Sequence, residues 1–156
     1  MLKLLPDELQ KLQLLKLAAR SNRLSVCVSG VSMMPTIKPG TRVAVAMAEE
    51  YAVGDVVVFL DKATLYIHRI IDRIEDRGEI IIITKGDNSS APDERIAQNQ
   101  IIGVVNGNKW TSAFIAFLSK REALLWAKSG PHLRYAISYT RYVLVYLIWA
   151  IKWRDV

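Results

Sequence analysis

The sequence has few of the residues that act as cross-links or metal ligands in small proteins. It contains one cysteine, Cys27, and two histidines among 156 residues. A single cysteine excludes an internal disulfide framework, and these three soft ligands are too few for a structural zinc site. We therefore expect a fold that is stabilised by its own hydrophobic core, with no metal and no cofactor.

The composition also lacks the marks of disordered and fibrous proteins. Apolar residues make up 51% of the chain and charged residues 23%, a balance that excludes disorder and a collagen-like fibre. No repeat of solenoid length is visible, so we expect one domain, or one domain with an appendage. The formal net charge of +6 is a modest basic excess, which suits an anionic membrane surface or nucleic acid.

Neither end of the chain contains a strictly apolar run of the ~20 residues that a transmembrane helix needs. Residues 1–22 place leucines at spacings of three and four among recurring charges. This pattern predicts an amphipathic helix rather than a secretory signal. Such a helix either docks on the core of its own domain or contacts a membrane.

Residues 109–156 are predicted to form a helical tail that is rich in aromatic and basic residues. Helices are predicted over 111–128 and 133–153, separated by Ser-Gly-Pro at 129–131. Tryptophan and tyrosine beside basic residues are typical of a helix in the lipid interface. We therefore expect peripheral membrane contact and a membrane-associated protein, with a cytoplasmic location as the alternative. A helical hairpin packed on the rest of the domain, or across a dimer, is the other interpretation of this tail.

Residues 23–108 alternate short apolar runs with turn sequences, which predicts a β domain. Strands that follow one another without intervening helices favour an antiparallel, barrel-like sheet. The predicted fold class is mainly β, with an amphipathic helix before the sheet and a helical hairpin after it. The predicted strands are Leu24–Val28, Arg42–Ala46, Val56–Leu60, Leu65–Ile74, Ile80–Thr84 and Ile101–Val105.

Three short segments of this β domain carry candidate catalytic residues. Ser32 lies in SGVSMMPT at 29–36, His68 in YIHRI at 66–70, and Asp87 and Asp93 in TKGDNSSAPD at 84–93. Each segment alone has an ordinary explanation, since serine after glycine and Gly-Asp-Asn are common in turns, and a single strand histidine is usually structural. Together they provide the groups that acyl transfer requires.

A serine hydroxyl becomes an effective nucleophile when a neighbouring base takes its proton, and a neutral imidazole can accept that proton near pH 7. A carboxylate on the other ring nitrogen fixes the tautomer and stabilises the imidazolium. Ser29 and Gly30, at the end of the first strand, allow a substrate carbonyl to approach backbone N–H groups, as an oxyanion hole requires. Met33 and Met34 either line a shallow apolar pocket for the substrate or pack in the core.

Four sequence blocks resemble the signal peptidase I family. The blocks are SMMPTI at 32–37, GDVVVF at 54–59, HRI at 68–70, and KGDN at 85–88 followed by Asp93. They occur in the order of the family, and the histidine resembles the archaeal and endoplasmic-reticulum branch, because the usual bacterial members carry a lysine base there. The resemblance implies Ser32 as nucleophile and His68 as general base. It implies Asp93 as the orienting carboxylate with Asp87 in the supporting loop, and Asp87 stays the alternative orienting group.

The same resemblance implies a serine endopeptidase that cleaves a signal or leader peptide, bound in extended form along a strand edge near Ser32. We expect a peptide or precursor protein as partner, and no nucleic acid. One alternative is a self-cleaving repressor-type peptidase, which shares the Gly-x-Ser-Met core at 30–33. Such repressors use a lysine base and carry a DNA-binding domain before the peptidase domain. We expect residues 1–22 to be too few for such a domain. The other alternative is a catalytically silent peptide-binding module on the same fold.

Overall fold

The computed structural model describes residues 5–76, 78–93 and 95–105, together with the isolated positions 121, 140, 143, 144, 146 and 147. Within these residues the chain forms one long helix followed by an antiparallel sheet. The mainly β fold class is therefore confirmed. The predicted C-terminal helical hairpin lies outside the continuously described residues.

The N-terminal helix, α1, spans Pro6–Arg20. Proline at the first helical position is preorganised for a helix and has no N–H to leave unpaired. Asp7 and Glu8 lie in the first turn, where the helix dipole favours negative charge. The Glu8 carboxylate also accepts a hydrogen bond of 2.9 Å from the Leu5 N–H. These local signals place the helix start inside the predicted residues 1–22.

Helix α1 docks on the sheet, which is the first of the two alternatives that its amphipathic pattern allowed. Its inner face buries Leu12 and Ala19, at 3% and 0% exposure, whereas Leu14 and Leu17 face solvent. Lys16 donates a hydrogen bond of 2.5 Å from Nζ to the Asn99 carbonyl. Burial at this contact lowers the pKa of Lys16, because desolvation disfavours the charged ammonium. Apolar packing and this lysine contact together fix the helix on the sheet.

In the part of the chain that the structure describes, seven strands form a single sheet in the order β1-β2-β7-β3-β4-β5-β6, and every neighbouring pair is antiparallel. The strands are β1 (Leu24–Cys27), β2 (Arg42–Ala46), β3 (Val56–Asp61), β4 (Thr64–Asp76), β5 (Glu79–Lys85), β6 (Arg95–Ala97) and β7 (Ile101–Val105), with a 3-10 turn at Gln98–Gln100 before β7. All six predicted strands are present to within two residues at each end. The short β6 was not predicted.

The prediction of a barrel-like sheet is wrong, because the sheet is open. Closure would require the two edge strands to pair with each other. In the described sheet β1 and β6 lie at opposite edges, and they contain four and three residues. Strands this short offer few backbone groups for the hydrogen bonds that would close the sheet into a barrel. The outer edge of β1, which leads directly into residues 29–36, therefore has no partner among the described strands.

The sheet carries apolar clusters on both faces. Val58 and Leu60 of β3 face the side covered by α1, whereas Val57 and Phe59 face the other side with Tyr51 and Ile70. This alternation follows from the two-residue period of a strand. Burial also raises the pKa of Tyr51, since its phenolate would lose solvation. No helix within the described residues is long and apolar enough to cross a membrane.

Candidate active site

The three predicted catalytic groups come from separate parts of the fold and meet on one face of the sheet. Ser32 lies in the loop that follows β1, and His68 lies within β4. His68 pairs with Val57 across the β3–β4 ladder, so its ring lies on the face that also carries Phe59. Asp93 lies between β5 and β6, and its N–H donates to the Thr84 carbonyl at 2.8 Å. Backbone pairing thus sets the position of both the imidazole and the carboxylate.

The side chains of Ser32, His68 and Asp93 form one continuous hydrogen-bonded chain. His68 Nδ1 is 2.6 Å from Asp93 Oδ2, and His68 Nε2 is 3.0 Å from Ser32 Oγ. Thr84 donates a second hydrogen bond, of 2.7 Å, from Oγ1 to the same Asp93 oxygen. A carboxylate accepts only, so Nδ1 carries the proton and Nε2 is left as an acceptor for the serine hydroxyl.

This arrangement has the chemical capacity for nucleophilic acyl transfer. The lone pair of Nε2 can take the hydroxyl proton, and Asp93 can stabilise the imidazolium that results. His68 is 7% exposed, so few water molecules compete for its nitrogens. The rings of Phe59 and Tyr66 lie 6.1 and 5.9 Å from the imidazole, measured between centroids. These contacts restrict the orientation of the imidazole.

A loop at residues 86–89 fixes the backbone of the serine. The Asn88 N–H donates a hydrogen bond of 2.6 Å to the Ser32 carbonyl. Gly86 packs directly against the Ser32 carbonyl group. A Cβ at position 86 would lie 2.8 Å from the Ser32 carbonyl oxygen and 2.6 Å from Ser89 Oγ. Only glycine allows this close approach. The segment that contains Asp93 therefore also positions Ser32.

A model of the family described as Peptidase S24-like matches residues 7–106. The matched residues cover well over half of the chain and include α1 except for Pro6, the seven described strands and the three groups described above. The chain belongs to the Peptidase S24-like family. This membership supports a serine peptidase-type fold, a type that includes self-cleaving repressors. The comparisons with curated proteins and with solved structures found no match.

In this S24-like domain, Asp87 lies apart from His68. Its carboxylate accepts two hydrogen bonds from Arg69, of 2.8 Å from Nε and 2.6 Å from Nη2. Arg69 also donates from Nη1 to the Gly54 carbonyl at 2.9 Å. The two side chains are 1% and 0% exposed. The structure therefore brings Asp93 to the imidazole and places Asp87 in a buried ion pair that holds the loop at 86–89.

Arg69 and Thr84 of the S24-like domain make contacts that were not predicted from the sequence. Arg69 was visible as a charged residue inside an apolar strand, between His68 and Ile70, and a fully buried arginine needs a carboxylate partner. That pattern was the available signal for the ion pair. Thr84 offered no comparable signal, because threonine is an ordinary strand residue.

The predicted oxyanion and substrate residues occupy different environments. Ser29 and Gly30 are exposed and lie beside the half-buried Ser32, where a peptide can reach them. Met33 is fully buried and belongs to the core cluster on the α1 side of the sheet. Its side chain therefore packs in the core and does not line a surface pocket, while Met34 is half-buried. Of the two methionines, only Met34 remains near enough to the surface to meet a substrate.

Proposed function

We propose that this chain is a serine endopeptidase that cleaves a signal or leader peptide through an acyl-enzyme. Ser32 is the nucleophile, His68 the general base and Asp93 the orienting carboxylate. The observation that carries this proposal is the hydrogen-bonded chain from Asp93 Oδ2 through the imidazole to Ser32 Oγ. Asp87 acts through Arg69 as a positioning residue rather than on the imidazole.

The reaction proceeds in two halves. Ser32 Oγ forms a bond to the carbonyl carbon of the scissile peptide while its proton moves to His68 Nε2. The tetrahedral intermediate expels the amine, which takes that proton from Nε2, and an ester on Ser32 remains. A water molecule then gives a proton to Nε2 and adds to the ester carbonyl. Release of the acid returns the proton to Ser32 Oγ, so the catalyst is regenerated.

The base distinguishes the two peptidase alternatives. Self-cleaving repressors use a lysine, whereas the group hydrogen-bonded to Ser32 Oγ here is the imidazole of His68. A lysine base requires burial and neighbouring charges to lower its pKa substantially, and an imidazole needs little adjustment to work near neutral pH. This difference, together with the sequence blocks at 32–37 and 85–88, favours cleavage of a separate peptide over self-cleavage.

The outer edge of β1, which pairs with no other described strand, supports an extended peptide as the substrate. An exposed strand edge offers backbone N–H and C=O groups that a peptide can pair with, and side-chain pockets then provide selectivity. β1 ends at Cys27, five positions before the proposed nucleophile. A peptide added to β1 therefore runs toward Ser32.

We also propose that the C-terminal segment holds the enzyme at an anionic membrane surface. Residues 1–105 contain thirteen basic and thirteen acidic side chains, whereas residues 106–156 contain eight basic and two acidic ones, so the entire excess of +6 follows β7. Ten of the thirteen aromatic residues lie there too. The described apolar side chains in this segment, Val143, Leu144, Tyr146 and Leu147, are all exposed. Basic residues beside exposed apolar ones suit an anionic lipid interface.

The test of the proposed activity uses a fluorophosphonate probe and a panel of leader peptides. We expect the probe to modify Ser32, and we expect Ser32→Ala and His68→Ala to lower kcat by roughly 10⁴-fold or more, as in other serine triads. Ser21→Ala is the matched control, because Ser21 is an exposed serine at the end of α1.

Other outcomes of this test would support one of the alternative functions or contradict the proposed role of His68. Mass spectrometry that finds only fragments of the chain itself, at a rate independent of protein concentration, would indicate a self-cleaving peptidase. Absence of both labelling and cleavage at every pH tested would indicate a silent peptide-binding module. Full activity in His68→Ala would contradict the proposed base directly.

A further inference from the structure

A pocket opens beside the carboxylate end of the Ser32–His68–Asp93 chain. Its volume is about 210 Å³. Asp93 contributes to the wall of this pocket and also accepts the hydrogen bond from His68. The pocket therefore adjoins the catalytic groups. Its lining residues are Phe59, Asp61, Lys62, Tyr66, Asp93 and Ile96.

The lining of the pocket includes two buried apolar side chains and one exposed aromatic ring. Phe59 and Ile96 are each 3% exposed. The ring of Tyr66 stacks on Phe59, with centroids 5.5 Å apart and an interplanar angle of 20°. Tyr66 itself is 38% exposed, so part of its ring remains open to a ligand. Exposed aromatic surface beside buried apolar side chains is typical of a site that accepts another ring.

The size and charge of the pocket narrow the class of ligand. Pockets for drug-sized molecules measure about 300–1,000 Å³, so this one accommodates a single amino-acid side chain. Asp93 Oδ2 already accepts hydrogen bonds from His68 and Thr84. The remaining charged residues, Asp61 and Lys62, have opposite signs and select neither a cationic nor an anionic group. Apolar and aromatic contacts are left as the basis of recognition.

We propose that this pocket binds an aromatic side chain of the peptide substrate. The ring lies against Tyr66 in an offset stack, above Phe59 and Ile96. The imidazole of His68 stands between the pocket and Ser32 Oγ, and an extended peptide advances about 3.3 Å per residue. The aromatic residue therefore lies two or more positions from the scissile bond. This inference rests on the proposed function, because it requires a peptide bound at Ser32.

A binding experiment tests the pocket without any turnover. Ser32→Ala protein is titrated against fluorescent peptides in which phenylalanine or lysine replaces alanine at one position at a time, on both sides of the expected cut. We expect phenylalanine at one position to lower Kd roughly tenfold, about 1.4 kcal/mol. Adding Tyr66→Ala should abolish this gain, whereas Tyr66→Phe, which keeps the ring, should preserve it. Leu14→Ala, an exposed change on α1, is the control and should also preserve it.

Tyr66→Leu provides a second variant should Tyr66→Ala unfold, because leucine still covers Phe59 but cannot stack. We expect this variant to lose most of the gain. Equal Kd values for all peptides, a gain that survives Tyr66→Leu, or a larger gain from lysine than from phenylalanine would each overturn the inference. Failure of the proposed function is seen separately, as the absence of fluorophosphonate labelling in the unmodified protein.

Discussion

Replacing Arg69 by methionine should destabilise the protein far more than a change at an exposed ion pair. Arg69→Met keeps an unbranched stem but removes both hydrogen bonds to the Asp87 carboxylate and the one to the Gly54 carbonyl. Asp87 is fully buried. Removing one partner of a buried pair costs about 3–5 kcal/mol, a large part of the roughly 5–15 kcal/mol that stabilises a typical domain. We expect the free energy of unfolding to fall by that amount.

A double variant separates two effects of the ion pair: the cost in stability of an unpaired buried charge, and the positioning of the loop at 86–89. Arg69→Met/Asp87→Leu removes both charges, and replacing a buried pair with apolar groups is often neutral, so most of the lost stability should return. Activity should stay low, because the loop that presents the Asn88 N–H to Ser32 is no longer tied down. A displacement of about 1 Å in such a site can lower the rate roughly 10²-fold.

Urea unfolding followed by far-ultraviolet circular dichroism measures the change in the free energy of unfolding, because this signal reports directly on the helix and the strands. Fluorophosphonate labelling rates of the same variants measure the positioning term. A loss of less than about 1 kcal/mol in Arg69→Met, which is the range for exposed pairs, would refute the energetic argument. A double variant that labels at the full rate would refute the role of the pair in positioning Ser32.

Three further results are expected. Gly86→Ala should slow labelling of Ser32 by at least about tenfold, because its Cβ would lie 2.8 Å from the Ser32 carbonyl oxygen, and an unchanged rate would contradict the close approach. A bulky maleimide on the exposed Cys27 should slow peptide cleavage but not labelling of Ser32, and equal slowing of both would argue against substrate pairing at β1. Cosedimentation with phosphatidylserine vesicles should be lost at about 1 M salt, where the Debye length is about 3 Å; equal binding to neutral vesicles would contradict an electrostatic contribution from residues 106–156.

The sequence was sufficient to predict the strands whose apolar runs end at turn residues. Val56–Asp61 and Ile101–Val105 were predicted almost to the residue, because apolar runs bounded by turn sequences are local signals. Arg95–Ala97 was not predicted, since three residues that begin with a charge carry no such pattern. The open sheet was not predicted either, because closure depends on whether distant edge strands meet.

The sequence predicted which groups make up the candidate site, but it left two candidates for the orienting carboxylate. Ser32, His68 and one of two aspartates were chosen because these groups together perform acyl transfer. Which aspartate contacts His68 depends on Arg69. Its side chain binds Asp87 in an ion pair that forms once β4 and β5 have paired. Arg69 and Asp87 are 18 positions apart in the chain, so local sequence patterns left both carboxylates open.

Under the proposed function, the edge of β1 that has no partner among the described strands limits when a precursor can be cleaved. A segment can join this edge only if its own backbone groups are free, and those of a folded domain are already engaged in helices and sheets. Compact regions of a precursor should therefore resist the enzyme, whereas an unstructured leader meets it without prior opening. Which precursors are cleaved would then depend on local unfolding of the precursor as much as on the side chains of its leader. A precursor whose leader becomes part of its folded body should escape processing once folding is complete.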